Sequence, residues 1–188
     1  HHGIDITGLT RAATQLLTSG HIQTGGSTIT MQVAKNYFLS YERTFSRKFN
    51  EILLALQIER SLTKPQILEL YLNKIFLGQR AYGIAAAAEV YFGKGLNQLT
   101  VAEAALLAGI PKAPSVLNPV SDPERARERR TYVLRRMLEL GFIDEAEYAA
   151  SLASPVESRL HGPAIELDAP YIAEMVRAEL VARFGSDA

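Results

Sequence analysis

The sequence predicts a mainly α fold, and three observations carry that expectation. Apolar residues recur at three- and four-residue spacing in successive stretches, most of them opened by a capping residue or a proline and closed near a glycine. No stretch alternates apolar and polar residues convincingly enough to propose a sheet. With 188 residues and 47% apolar composition, the chain is long enough to bury on the order of 70% of its unfolded surface in one core. Two full domains would be a squeeze.

Taken in order, Asp5 or Thr7 caps a first helix running to about Ser19, and Ser19-Gly20 and Thr24-Gly25-Gly26-Ser27 interrupt the pattern. A second helix is expected from about Thr28 to Phe38, with Ser27 or Thr28 as its cap. From about Ser46 to Arg60 a third helix carries Phe49, Ile52, Leu53, Leu56 and Ile58 as its apolar set and Arg47, Lys48 and Glu51 as its polar one. Thr63-Lys64-Pro65 opens a fourth, with Ile67, Leu68, Tyr71 and Leu72 as the buried face. A loop with Gly78 and Gly83 leads to an alanine-rich helix over Ile84 to Phe92, and Thr100-Val101-Ala102-Glu103 is a capping box for a helix ending at Gly109. Pro111, Pro114 and Pro119 predict an extended crossing. Asp122-Pro123 starts a long helix to Leu140, stopped by Gly141, and Asp144 caps a shorter one. The composition loosens from Ser154-Pro155 to Pro170, before a last helix over about Tyr171 to Phe184.

Composition narrows the functional classes. Twenty basic and twenty acidic residues balance, so no global field recruits nucleic acid and any electrostatic function is local. Cysteine is absent, which excludes disulfides and thiol catalysis and leaves the compartment open. Runs such as Ile52 to Leu56 fall short of the roughly 18 apolar residues of a spanning helix. The abrupt start at His1-His2-Gly3 and the end close to a helical pattern lead us to expect a piece of a longer protein. His21 and His161 are lone histidines without ligand spacing, so a structural zinc site is not expected.

The chemistry concentrates between residues 25 and 51. Gly25-Gly26-Ser27-Thr28 sets glycines and hydroxyls before a helix start, the arrangement of an anion or sugar site, or simply of a capped loop. Gln32, Lys35 and Asn36 share one face of the second helix, as a polar ligand site or a solvated stripe. Between Tyr37 and Phe49 aromatic residues alternate with cations, which suits a lipid headgroup boundary or a loop with buried rings. Glu51 lies three residues after Lys48 and four after Arg47, either as an exposed ion pair or as a carboxylate kept ionised within a cleft.

Four blocks together resemble the family 51 glycosyltransferases, the peptidoglycan transglycosylase domains of class A penicillin-binding proteins, most nearly those of the 1A type. They are GGSTITMQVAKN (25–36), RKFNEILLALQIE (47–59), KPQILELYLNKIFLGQRAYGIAAAAEVYF (64–92) and LTVAEAALLAGIPKAPSVLNP (99–119). The resemblance implies a lysozyme-like helical domain with a smaller membrane-proximal jaw. Its activity would be inverting polymerisation of lipid II into glycan strands, with release of polyprenyl pyrophosphate. It also implies a transglycosylase domain over 1–153, lacking its start, and a linker and helix over 154–188 leading toward a transpeptidase domain. Lys35, Arg43, Arg47 and Lys48 are the cations at matching positions, Ser27, Gln32 and Asn36 the polar contacts, and Glu51 the second family glutamate, near the pyrophosphate or its metal.

Implied partners are lipid II and the growing glycan chain, with membrane contact through an upstream anchor and residues 37–49, at the outer face of the bacterial cytoplasmic membrane. No cofactor is required, and magnesium or manganese at the pyrophosphate is optional. Two departures stand out. Of the family's first motif only the end, His1-His2-Gly3, is present, which places the general-base glutamate upstream of residue 1. The alternative that follows is a catalytically incomplete module that binds glycolipid or a partner. The second is Met31, where the family usually has glutamine, which puts one sugar or phosphate hydrogen bond in doubt. A lysozyme-like hydrolase needs a carboxylic acid beside the glycosidic bond, a role poorly suited to a glutamate flanked by cations.

Overall fold

The structure is a computed structural model, and it describes residues 3–19, 26–39, 45–155, 157–162 and 170–184. Among these residues the α-helices are α1 (Ile6–Ser19), α2 (Ile29–Phe38), α3 (Phe45–Ser61), α4 (Lys64–Lys74), α5 (Ile84–Phe92), α6 (Val101–Gly109), α7 (Pro123–Glu139), α8 (Glu145–Ala153) and α9 (Pro170–Phe184). The expected mainly α class is therefore the one found. An isolated antiparallel bridge, Phe76 to Tyr82, closes the 75–83 loop, and no strand forms among the described residues.

The caps work as the side-chain chemistry dictates. Asp5 Oδ1 accepts from Gly8 N at 3.0 Å and opens α1. Thr28, rather than Ser27, caps α2, its Oγ1 accepting from Met31 N at 3.2 Å. Thr100 and Glu103 form the reciprocal box that starts α6, and Asp122 and Asp144 cap α7 and α8. Gly141 takes φ +72° after α7, a left-handed turn that ends the helix.

Three apolar clusters hold the domain. Val33, Ala34, Ile58 and Ile67 join α2, α3 and α4. Leu77, Ala88, Tyr91, Leu106, Leu107 and Ile110 join the 75–81 loop to α5 and α6. Ala105, Leu134 and Ile143 fasten α6 to α7 and the turn that follows it. Tyr71 packs against both of the first two clusters and couples them. The buried Tyr91 hydroxyl donates to Leu77 O at 2.7 Å, so the ring is both core filler and loop anchor.

Three local expectations are corrected. Residues 110–121 form a 3-10 turn at Ile110–Lys112 and a series of turns, not an extended crossing. Asn118, fully buried, explains the difference: Nδ2 donates to Pro114 O and Ser121 Oγ, and Oδ1 accepts from Ser121 N, folding the chain back on itself. On α4, Ile67 is buried but Leu68 is exposed, because α2 and α3 cover only one side of the helix. On α3, Phe49 and Leu53 face outward at 62% and 49% exposure, whereas Glu51, Ala55 and Ile58 are buried. The side of α3 that meets α2 thus begins with a carboxylate.

Candidate functional site

The entry to α2 and the inner face of α3 build the site together. Packing α2 on α3 brings the loop at Gly26 to Thr28 over Glu51, 24 residues further along the chain. Lys48 Nζ donates to Glu51 Oε1 at 2.5 Å and to Ser27 Oγ at 2.8 Å. Ser27 Oγ itself lies 3.5 Å from Glu51 Oε1, at the outer limit of a hydrogen bond. Glu51 is 2% exposed and the Lys48 side chain 35%, so the pair has a buried anionic end and a cation that opens to solvent. The pair is therefore not the exposed helix pair that the spacing also allowed. Its geometry offers a cation to an anionic ligand arriving at the α2 N-terminus, where the helix dipole adds partial positive charge.

A second carboxylate pins the same helix start. Glu59 lies two turns after Glu51 on α3, and Thr30 Oγ1 donates to Glu59 Oε1 at 2.5 Å while Lys64 Nζ donates to Oε2 at 2.6 Å. Burial pushes the Glu59 carboxyl upward, but the hydrogen bonds from Lys64 and Thr30 and the lysine charge outweigh it and hold the group below the usual glutamate range. Thr28 Oγ1 donates to Gly3 O at 2.7 Å, which ties the start of α1 to the same corner. Gly3 takes φ +85°, and a Cβ there would stand 2.5 Å from Glu59 Cγ, so the close approach requires glycine. Beside these groups opens a cavity of about 530 Å³ lined by Ser27, Thr28, Gln32, Glu59, Lys64 and Leu68, among others.

The structure gathers the predicted residues unevenly. Ser27, Lys48 and Glu51 are in contact, and Ser27 and Gln32 line the cavity. Lys35 and Asn36 follow Gln32 on α2, Lys35 exposed and Asn36 half-buried, but neither lines that cavity. Arg47 is half-buried on α3. Arg43 lies outside the described residues, as do 40–44 of the aromatic and basic segment. At the near end of that segment the Tyr37 hydroxyl donates to Leu70 O at 3.2 Å, so its ring docks on α4, while Phe38 and Phe49 are exposed. Met31 is fully buried, so this position does not face a sugar or phosphate, and the hydrogen bond held in doubt on its account is not one that residue 31 could make.

Sequence reading missed Glu59, Thr30 and Lys64 as a group. The signal available was the four-residue step Glu51, Ala55, Glu59, which places both carboxylates on one face of α3. Among the described residues no group of three or more His, Asp or Glu side chains gathers in a way that would hold a metal ion, and Glu51 offers a single carboxylate whose Oε1 is already engaged by Lys48. The described residues alone therefore do not form a preassembled divalent-cation cage.

Fold and site define a helical domain of the lysozyme-like class, with a hydroxyl, a cation and a buried carboxylate grouped at one helix N-terminus. The chain belongs to the Transglycosylase family, whose profile matches residues 1–138. It is 64% identical over 188 residues to penicillin-binding protein 1A of Pseudomonas aeruginosa and 52% identical over 188 residues to penicillin-binding protein 1A of Escherichia coli. In each case 100% of this chain is covered, against 23% and 22% of the relative, so the chain spans less than a quarter of these curated relatives. A crystal structure of penicillin-binding protein 1A from Haemophilus influenzae matches with TM-score 0.52 and 43% identity, covering 82% of this chain and 20% of that one. The expected resemblance to 1A-type transglycosylase domains is thus matched along the whole chain.

Proposed function

We propose that this chain is the glycosyl-transferring part of a peptidoglycan glycosyltransferase that polymerises lipid II. The acceptor sugar's 4-hydroxyl gives its proton to a general base as it attacks C1 of the growing chain, inverting that centre and expelling polyprenyl pyrophosphate. The observation that carries the reading is the Ser27–Lys48–Glu51 group at the N-terminus of α2. Pyrophosphate gains charge as the glycosidic bond breaks, and a cation already fixed at that point stabilises the transition state without reorganisation. Lys48 is that cation, steered by Glu51 and Ser27. Lys35, Arg43 and Arg47 contribute further positive charge, and Gln32 and Asn36 orient the phosphates or sugars.

Glu51 is a partner of the cation rather than the base on the acceptor hydroxyl, because its Oε1 is held by Lys48. A divalent cation is optional and would have to take most of its ligands from the pyrophosphate itself. The catalytic domain covers 1–153, and 154–188 leads toward a transpeptidase domain. The domain works at the outer face of the cytoplasmic membrane, where the exposed rings of Phe38 and Phe49 meet lipid. No described helix is long and apolar enough to cross a membrane.

Family membership favours transfer over a binding-only module. The test is polymerisation of labelled lipid II in detergent by the 188-residue chain, and by the same chain preceded by the corresponding upstream residues of the Pseudomonas aeruginosa relative. Glycan strands from the extended protein, reduced at least tenfold in Lys48→Met, are expected. No polymer from either protein, with lipid II still bound, would replace this reading with the binding module.

A further inference from the structure

A second feature lies away from the α2 corner, where Ser154 meets α7 and residues 157–162 run past α5. Arg130 of α7 is 2% exposed, and its Nη2 donates to Ser154 O at 3.0 Å. Among the described residues its Nε, shielded from water, has no acceptor, and no carboxylate pairs with the guanidinium. A buried, unpaired cation is costly unless something supplies the missing negative charge. Burial, with the Arg127 charge added, already weakens its hold on its proton relative to ordinary arginine.

Arg130 borders a cavity of about 200 Å³ whose other walls include Phe92, Ala102, Leu106, Glu103 and Glu157. That is roughly seven waters' share of liquid volume. The Lys94 ammonium at this cavity is already neutralised by Glu103 at 2.7 Å.

We propose that this cavity is a binding site for a short aliphatic monocarboxylate, with Arg130 as the group that recognises it. Arginine's planar fork matches a carboxylate, and its donors are largely unspent here. Phe92, Ala102 and Leu106 give the alkyl end an apolar wall. With Glu103 matched by Lys94, the Glu157 carboxylate at the same cavity disfavours a dianion such as phosphate, so a single negative charge is selected. The site is independent of lipid II chemistry: it lies between α6, α7 and Ser154, Pro155 and Glu157, and shares no residue with the cavity at Ser27 and Glu59.

The probe is sodium acetate, titrated at constant ionic strength into the 188-residue chain with chloride as the balancing ion, while the Arg130 Nε–H resonance is followed by NMR. A saturable shift with a millimolar midpoint is expected, with inorganic phosphate at least tenfold weaker. Acetate should also raise the melting temperature of the wild-type chain, and Arg130→Met should abolish that rise. The absence of a saturable shift, phosphate binding as tight as acetate, or an acetate-dependent rise that survives in Arg130→Met would each overturn the proposal. Should Arg130→Met not fold, the wild-type titration decides alone.

Discussion

Replacing Lys48 by methionine keeps most of the side chain's length and removes its charge, leaving Glu51 buried at 2% exposure without the cation that reaches it at 2.5 Å. Breaking a fully buried pair by removing one partner costs about 3–5 kcal/mol, because an uncompensated charge stays behind. Here the lysine side chain is 35% exposed, so water can follow it in and replace part of the interaction. The loss is therefore reduced to about 2 kcal/mol, or a fall of roughly 4–8 °C in melting temperature for a chain of this length.

Glu51→Gln needs no cation, so Lys48→Met should cost much less in that background. The two substitutions should couple by about 1–2 kcal/mol in a double-mutant cycle. Urea denaturation followed by circular dichroism measures all four corners of the cycle. A loss below about 0.5 kcal/mol for Lys48→Met, with no coupling to Glu51, would refute the view that this buried pair stabilises the fold.

Further outcomes follow from the same geometry. Glu59 binds its proton less readily folded than unfolded, so the stability it contributes is complete above the unfolded value of 4.5 and disappears as pH falls through the lower folded value. Lys64→Gln should flatten that acid limb in pH-dependent urea melts, by under about 1 kcal/mol because the lysine is largely exposed. Tyr91→Phe strands the Leu77 carbonyl and should cost about 1–2 kcal/mol by thermal melting. Burial pushes the Tyr91 hydroxyl up to about 12, so the neutral form is favoured in the fold, and this contribution should decline as pH rises from 10 toward that value. Gly93 takes φ +62°, and a Cβ there would stand 2.7 Å from the His161 ring. Gly93→Ala should loosen the 157–162 stretch, which His161 N fastens to Val90 O at 2.9 Å, and limited proteolysis should then cut near residue 160 sooner than in the wild type.

The helices were legible because their signals are local. Capping needs only a side chain and the backbone three residues on, which is why Asp5, Thr100, Asp122 and Asp144 open helices where the residue pattern places them. The Lys48–Glu51 contact was legible for the same reason, being one turn of one helix. Periodicity could not say which side of α3 turns inward. Its apolar residues reach around the helix, and packing against α2 chose the side carrying Glu51, Ala55 and Ile58 while leaving Phe49 and Leu53 outside.

Prolines suggested extension between 110 and 121 because they remove backbone donors, yet Asn118 supplies side-chain bonds that reverse the chain. By itself, then, the sequence determined the helical class, the caps and the cluster of charges and hydroxyls before and within α3. Only tertiary structure decided that Ser27 meets Lys48 over Glu51, that Thr30 meets Glu59, and that Met31 and Arg130 are buried. Those facts join residues tens of positions apart or record what covers a side chain, and they exist only once α2 lies on α3 and Ser154 lies on α7.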